Sequence, residues 1–545
     1  MAQSTISRRS LIASTAALGA MSLLPTRAFA IATGVTRDVK TSNGPVRGLV
    51  DDGIQTFLGM RYGAPPVGPL RFMPPKKPDP WTATATCMFL GAPSMQILGG
   101  GGASNYPDDV GPALGQLMNP PEDIIRQHED CLFINLWTPE LGGTKKRPVM
   151  VWFHGGGFAY GSGNWPVYDG HNLARNHDVV VITVNHRLNV FGFLDLAELG
   201  GDPSSGNAGM LDLVAVLEWV RDNIAEFGGD PGNVTVFGQS GGGGKVSTIL
   251  AMPAAKGLLH RAIIESGAGL RAIPQENGTK AAKTLMAKLG VSDVKSLQAL
   301  PAAAVLAAAS TMNQGGPGSG FGFAPVVDGV SLPTHPFDPV APAVSANVPV
   351  LIGFTKDEMT LYNVGLPWWG KLTMDELVAK LEPQFKDKTR PLIEAYHKRY
   401  PDYSPSYLYT AVAGTQFAAI GSITLAERKA AQKAAPVFMY VWEWGAPVDG
   451  GILKAPHTME IPFVFDNVEK GPMLLGTAPS TRALAKQASA VWTGFARSGD
   501  PNAPGTGLPH WPAYDAETRA TMMFNLESRI ENDPLGDVRR IMLST

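Results

Sequence analysis

The sequence predicts an α/β protein with a large, mostly parallel central sheet flanked by helices. Apolar runs at 149–153 and in "DVVVITVNHR" are continuous rather than alternating, as in strands that are buried on both faces. Residues 210–224 instead carry apolar side chains at helical spacing, and Gly228 and Gly229 end that pattern. Strands that alternate with helices in this way are typical of a doubly wound parallel sheet.

The later strands and two insertions follow in chain order. "NVTVFG", "RAIIES", "PVLIGF" and "PVFMYVWEW" each predict a further strand. Segments 270–345 and 365–435 are richer in alanine and other helix formers, so we expect helical insertions that cap the sheet. The composition is ordinary for a globular protein, and a net charge of −2 gives no sign of a nucleic-acid partner or an anionic membrane surface.

The first 30 residues have the features of an export signal. Arg8 and Arg9 precede an apolar stretch at 11–24, and the pattern "AFA" ends at Ala30. The stretch is shorter than the roughly 20 residues that span a bilayer. The paired arginines predict the bacterial twin-arginine route to the periplasm or medium. After removal of the signal we expect one domain over 31–545 and no membrane span. An uncleaved N-terminal anchor is the alternative.

The stretch "FGQSGGGGKV" admits two interpretations, a phosphate-binding loop and a nucleophile elbow. The phosphate loop requires glycine at 239 and serine or threonine at 246, where this chain has Gln239 and Val246. Gly238, Ser240 and Gly242 instead fit G-x-S-x-G between a predicted strand and a predicted helix. Because flanking side chains would clash in so sharp a turn, the glycines favour Ser240 as a nucleophile.

A serine nucleophile needs a base and an acid, which follow it in the order acid, then histidine. His457 lies in a polar turn after the strand predicted in "PVFMYVWEW", whereas His397 lies in the helical "EAYHKRY". Asp357 and Glu358 both follow the strand in "PVLIGF", and their positions alone do not separate them. "FHGGGF" after the 149–153 strand predicts an oxyanion hole built from backbone N–H groups.

Several long motifs resemble those of the type-B carboxylesterases, within the carboxylesterase/cholinesterase family and the α/β-hydrolase fold. They are "FGGDPGNVTVFGQSGG" at 227–242, "EDCLFINLWTP" at 129–139, "HTMEIPFVF" at 457–465 and "FARSGDPN" at 495–502. The resemblance covers nearly all of the chain after the signal. It implies helical insertions that form an active-site gorge, a small-molecule ester substrate and no metal or organic cofactor.

The resemblance also implies a role for individual residues. The triad would consist of Ser240 as nucleophile, Glu358 as acid and His457 as base, with Ser266 in support. The oxyanion donors would be the N–H groups of Gly156, Gly157 and Gly241. Two cysteines in an exported protein predict a disulfide, and the resemblance also implies a bond between Cys87 and Cys131.

The chain departs from the family pattern at four places. Gln239 and Gly241 replace the usual glutamate and alanine beside the serine, and "NHRLN" at 185–189 replaces "NYRLG". No tryptophan lies between Cys87 and Cys131 to bind a quaternary ammonium, which disfavours choline esters. We therefore predict a serine carboxylesterase that works through an acyl-enzyme. The alternatives are a serine hydrolase of carbamates, amides or lactones, and a non-catalytic binding module.

Overall fold

The computed structural model describes residues 34–97, 106–107, 109–118, 126–312 and 322–544. The predicted export signal at 1–30 lies outside the described residues, so its assignment stays a prediction.

One twelve-stranded sheet forms the centre of the molecule. In chain order its strands are β1 (Gly34–Val35), β2 (Leu49–Asp51), β3 (Ile54–Arg61), β4 (Phe133–Thr138), β5 (Arg147–Phe153), β6 (Val180–Val184), β7 (Gly229–Gln239), β8 (Arg261–Glu265), β9 (Val350–Thr355), β10 (Val437–Trp442), β11 (Ala520–Phe524) and β12 (Arg529–Asn532). Their spatial order is β1-β2-β3-β4-β6-β5-β7-β8-β9-β10-β11-β12. Strands from β6 to β11 are parallel, and antiparallel pairs lie only at the two ends.

Helices flank this sheet. They are α1 (Val110–Met118), α2 (His171–His177), α3 (Asn189–Phe193), α4 (Ala208–Asn223), α5 (Gly241–Ile249), α6 (Gln275–Leu289), α7 (Val294–Ala299), α8 (Ala302–Ser310), α9 (Thr360–Asn363), α10 (Met374–Phe385), α11 (Thr389–Arg399), α12 (Pro405–Gly414), α13 (Ile420–Ala430), α14 (Val448–Gly451), α15 (Ile461–Val464), α16 (Pro472–Leu475), α17 (Pro479–Ser498) and α18 (Gly536–Leu543).

The central strands are buried on both faces, which explains their continuous apolar sequences. Along β5, Val149 and Phe153 belong to one hydrophobic cluster, whereas Met150 and Trp152 belong to the other. Every residue of β5 is buried. Because helices cover both faces, no position of such a strand needs a polar side chain. The predicted α/β architecture with a mostly parallel sheet is confirmed.

Short strands make up the N-terminal edge and two small sheets that the sequence did not reveal. Val39–Lys40, Pro45–Arg47 and Ala85–Thr86 form one small sheet, and Ile273–Pro274 pairs with Val326–Val327 in the other. Strands of two or three residues are too short to show a periodic apolar pattern, so only the structure reveals them.

Helices fill both segments in which we expected insertions. The first contains α6 to α8 and the second contains α10 to α13. A π-helical turn at Thr415–Ala419 joins α12 to α13, and the resulting run Pro405–Ala430 is long and apolar enough to cross a membrane by length and composition. Since 56% of the apolar 18-residue window in that run is buried inside the molecule, we assign the run to the protein core.

The expected disulfide is absent from the part of the chain that the structure describes, and this corrects the sequence-based prediction. Cys87 and Cys131 are both buried free thiols. Cys131 faces the hydroxyl of Ser94, whereas the sulfur of Cys87 lies 4.0 Å from the carbonyl oxygen of Ala85. Burial raises the pKa of the Cys87 thiol to about 12 and raises the pKa of Cys131 further, so both stay protonated.

Candidate active site

Ser240 occupies a sharp turn between β7 and α5. Its backbone has φ 59° and ψ −124°, a conformation that residues other than glycine rarely adopt. The backbone N–H of Ser240 donates to the carbonyl of Glu265 at the end of β8, at 2.7 Å. A strained backbone that neighbouring strands hold in place is a common feature of functional sites. The turn therefore presents the hydroxyl of Ser240 above the carboxyl edge of the sheet.

Glycines on both sides of Ser240 make this turn possible. A Cβ atom on Gly238 would come within 3.0 Å of the carbonyl oxygen of Phe153 and of the backbone of Gly242. A Cβ atom on Gly242 would collide with the same carbonyl of Phe153. The clash expected from the sequence is thus one between the elbow and the end of β5. Lys245 of "FGQSGGGGKV" lies on α5, as the elbow interpretation requires.

The glycine loop after β5 lies directly against this elbow. Gly156 and Gly157 have left-handed backbones, with φ 88° and 61°. A Cβ atom on Gly241 would overlap the backbone of Gly157, so the two segments touch without any side chain between them. Within the described residues, none of the N–H groups of Gly156, Gly157 and Gly241 donates a hydrogen bond. The three N–H groups therefore lie on two segments in direct contact, and Gly241 adds the positive end of the α5 dipole.

His457 and Glu358 form a close pair beside the elbow. The Nδ1 atom of His457 lies 2.5 Å from Oε2 of Glu358, and both side chains are 2% exposed. The other carboxylate oxygen of Glu358 accepts the backbone N–H of Thr355 at 2.8 Å, which fixes the carboxylate over the end of β9. Because a carboxylate only accepts, His457 donates through Nδ1 and has Nε2 available as a base.

Asp357 points away from this pair, although it precedes Glu358 directly. Its carboxylate accepts the hydroxyl of Tyr403 at 2.5 Å and the backbone N–H of Ala455 at 3.2 Å. Its side chain is fully buried, and burial raises the pKa of Asp357 above its usual value. The structure thus separates two neighbours that sequence position left equivalent.

Gln239 connects the elbow to the imidazole of His457. The side-chain nitrogen of Gln239 is 3.3 Å from both ring nitrogens of His457, so the residue preceding Ser240 contacts the imidazole. Two rings also lie beside the imidazole: Phe417 of the second insertion and Tyr362 of α9 are 5.0 and 5.8 Å from its centroid. These rings help to shield the imidazole from water.

Ser266 contacts a buried acid that the sequence analysis did not single out. Its hydroxyl donates to Oε1 of Glu460 at 3.4 Å, and among the described residues it has no bond to Glu358. Glu265 and Glu460 are both fully buried, and each has one carboxylate oxygen without a hydrogen-bond partner in the described residues. Trp492 on α17 donates to the other oxygen of Glu265 at 2.8 Å.

Burial raises the pKa of both acids. It raises the pKa of Glu265 to about 8, and burial together with the charges of Glu265 and Glu358 raises the pKa of Glu460 well above its usual value. The sequence contained one signal for the pair, since both acids interrupt apolar runs, in "RAIIES" and "HTMEIPFVF". No local pattern indicates that residues so far apart in the chain meet.

Comparisons with known proteins identify the family of the chain. The model of the carboxylesterase family matches residues 35–537. The chain is 35% identical over 509 residues to the para-nitrobenzyl esterase of Bacillus subtilis, covering 92% of this chain and 97% of that protein. It is 32% identical over 500 residues to the phenmedipham hydrolase of Pseudarthrobacter oxydans, covering 90% and 95%.

Solved structures show the same fold. A carboxylesterase of Geobacillus stearothermophilus superposes with a TM-score of 0.78 at 35% identity, over 93% of this chain and all of that one. An esterase of Clostridium hathewayi that can hydrolyse aliphatic aromatic polyesters gives 0.77 at 30% identity, over 93% and 97%. The fold is that of the α/β-hydrolases, and the protein belongs to the carboxylesterase family.

Proposed function

We propose that the protein hydrolyses small-molecule carboxylic esters with Ser240 as nucleophile, His457 as general base and Glu358 as the acid that orients His457. The observation that carries this proposal is the short Glu358–His457 bond beside the strained Ser240 elbow. A positioned base, its orienting carboxylate and a nucleophile held on a sharp turn are the parts that acyl transfer requires.

The reaction follows from these positions. Nε2 of His457 takes the hydroxyl proton as Ser240 Oγ attacks the ester carbonyl carbon. The oxygen that becomes negative is stabilised by the N–H groups of Gly156, Gly157 and Gly241. His457 then protonates the departing alcohol, which leaves an acyl group on Ser240. Water attacks this acyl-enzyme with His457 again as base, releasing the carboxylic acid and the free serine.

In the described residues no hydrogen bond joins Ser240 to His457. Within the described residues the hydroxyl of Ser240 has no hydrogen-bond partner, while Gln239 contacts the imidazole. Catalytic hydrogen bonds often shorten only when substrate binds. In our proposal substrate entry brings Oγ of Ser240 to Nε2 of His457 and displaces the amide of Gln239.

Substrate class is tested with a panel of p-nitrophenyl esters of increasing acyl length, a p-nitroanilide, an aryl carbamate and a lactone. Phenmedipham belongs in the panel because one relative is named for its hydrolysis. We expect the esters to have the highest kcat/KM and a fluorophosphonate to abolish turnover. A higher kcat/KM for the anilide, carbamate or lactone would replace the ester by that class. No turnover of any compound would contradict the catalytic proposal and favour a binding module.

The second part of the proposal is export from a bacterial cell. Its support is the paired Arg8 and Arg9, the short apolar stretch and the cleavage pattern at Ala30, together with the bacterial relatives. Replacing both arginines by lysine should leave the unprocessed protein in the cytoplasm, as measured by fractionation and N-terminal sequencing. Unchanged export of the double variant would contradict the twin-arginine route.

A further inference from the structure

A buried lysine lies one helical turn beyond the nucleophile. Lys245 on α5 is fully buried, and its Nζ donates to the backbone carbonyl of His154 at 2.8 Å. No carboxylate in the described part of the chain pairs with it. A buried amine without a counter-ion is costly to charge, so its presence here calls for a compensating role.

The groups around Lys245 are neutral or apolar. His154 and His186 stack with their ring centroids 5.1 Å apart, and the ring of Phe158 lies 5.7 Å from Nζ. Each histidine donates its Nδ1 proton to a backbone carbonyl at 2.8 Å, that of Gly155 or Arg187. Burial and the nearby Lys245 hold the pKa of both histidines well below the usual value, so neither carries charge at neutral pH.

The hydrogen bond from Lys245 ends at the start of the glycine loop. His154 is the first residue of "HGGGF", and the three glycines after it have no side chains that could anchor the loop. The loop must nevertheless hold the N–H groups of Gly156 and Gly157 in fixed positions. A shift of about 1 Å in such donors can reduce a rate roughly 100-fold.

Lys245 also connects the two segments that supply the oxyanion donors. The third donor, the N–H of Gly241, begins the same helix that carries Lys245. One side chain thus links the start of the glycine loop to the helix that follows the nucleophile. We propose that Lys245 is a positioning residue, which holds the His154 carbonyl so that the N–H groups of Gly156, Gly157 and Gly241 converge on the oxyanion. This inference rests on the proposed ester hydrolysis.

The test replaces Lys245 by methionine, which keeps the length and removes the donor. We expect kcat for p-nitrophenyl acetate, per active site titrated with a fluorophosphonate, to fall about 10- to 100-fold while KM changes little. A trifluoromethyl ketone adds Ser240 to its carbonyl and forms an oxyanion, so its affinity should fall by the same factor as kcat/KM.

Lys429 offers a matched control. It is also fully buried, and its Nζ donates to the carbonyls of Ser345 and Ala346 and to the side chain of Gln432. Lys429→Met should lower thermal stability and leave kcat and ketone affinity unchanged. A role of Lys245 in stability alone would give Lys245→Met this same behaviour.

If Lys245→Met does not fold, the same measurements are made on Lys245→Gln, whose amide nitrogen ends one bond short of Nζ. A folded Lys245 variant with wild-type kcat and ketone affinity would overturn the inference, as would a rise in KM at unchanged kcat. Absence of esterase activity in the wild-type enzyme would instead refute the proposed function. The two failures are therefore distinguishable.

Discussion

Two groups of buried polar side chains lie near the Ser240 elbow, and they differ in the partners that they find. In the first, the front layer, Nδ1 of His457 lies 2.5 Å from the carboxylate of Glu358. In the second, the back layer, Glu265 and Glu460 have no basic partner among the described residues, and Lys245 lies near neutral histidines. Burial raises the pKa of both acids in the back layer and lowers the pKa of Lys245 to about 7.

The difference shows what burial does with and without a partner. A buried carboxyl group is stabilised when hydrogen bonds replace its water, as those from His457 and Thr355 to Glu358 do. Without such a partner the group shifts toward its neutral form, as in the back layer. Substitutions in the front layer should therefore change activity at nearly constant stability. Substitutions in the back layer should change geometry or the pH dependence of stability.

The sharpest test of the front layer is Ser240→Ala. We expect kcat to fall by roughly 10⁴–10⁶ with little change in unfolding free energy, because the Ser240 hydroxyl has no hydrogen-bond partner in the described residues. Steady-state kinetics and urea unfolding measure the two quantities. A fluorophosphonate should label Ser240 in the wild type and nothing in the variant. Retained turnover, or labelling of another serine, would contradict the assignment.

Glu358→Gln and Asp357→Asn form a matched pair, and Glu358→Gln has the next largest expected effect on kcat. The first should lower kcat by about 10⁴, because a neutral amide no longer selects the Nδ1-protonated imidazole or stabilises its charged form. The second should lower kcat far less, since the carboxylate of Asp357 bonds to Tyr403 and Ala455 and not to the imidazole. The reverse ranking would place the acid of the triad at Asp357.

Gly241→Ala tests the contact between the elbow and the glycine loop. The new methyl group would overlap the backbone of Gly157. The oxyanion donors must then shift, so we expect kcat to fall about 10- to 100-fold at little changed KM.

Gly244→Ala on the same helix is its control. There the nearest atom to a Cβ is a ring carbon of Phe158 at 3.5 Å, an ordinary contact. This control should keep kcat and stabilise the helix by about 0.5–1 kcal/mol. Wild-type kcat in Gly241→Ala would mean that the loop adapts freely.

Much of this arrangement could be predicted from the sequence. Gly238, Ser240 and Gly242 define the elbow because the steric requirement is local and glycine alone satisfies it. The parallel strands were predictable because burial on both faces leaves a continuous apolar run. Both features depend on residues adjacent in the chain, so the sequence shows them directly.

Features that depend on distant contacts were not predictable from the residues alone. Asp357 and Glu358 follow the same strand, and only the bond from Thr355 and the position of Tyr403 decide which carboxylate turns toward His457. The prediction of a Cys87–Cys131 disulfide was wrong, because the number of cysteines does not show that the thiol of Cys131 lies beside the hydroxyl of Ser94. The acid pair in the back layer likewise appears only once β8 and the segment before α15 pack together.

The smallest expected effect concerns stability in the back layer. The pKa of Glu265 is raised to about 8 in the folded protein, against 4.5 for an unperturbed glutamate. Between these values the folded state keeps a proton that the unfolded state has released. The contribution of Glu265 to stability is therefore present below about pH 4.5 and is lost as pH rises toward 8.

Glu265→Gln removes this proton linkage and can still accept the Trp492 N–H. We expect its unfolding free energy to decline less steeply than that of the wild type from pH 5 to pH 8. Urea titrations at pH 5, 6, 7 and 8 measure the slope. Glu527→Gln, an exposed control, should follow the wild type. An equal slope in Glu265→Gln would mean that Glu265 is charged in the folded protein, and the two layers would then not differ as described.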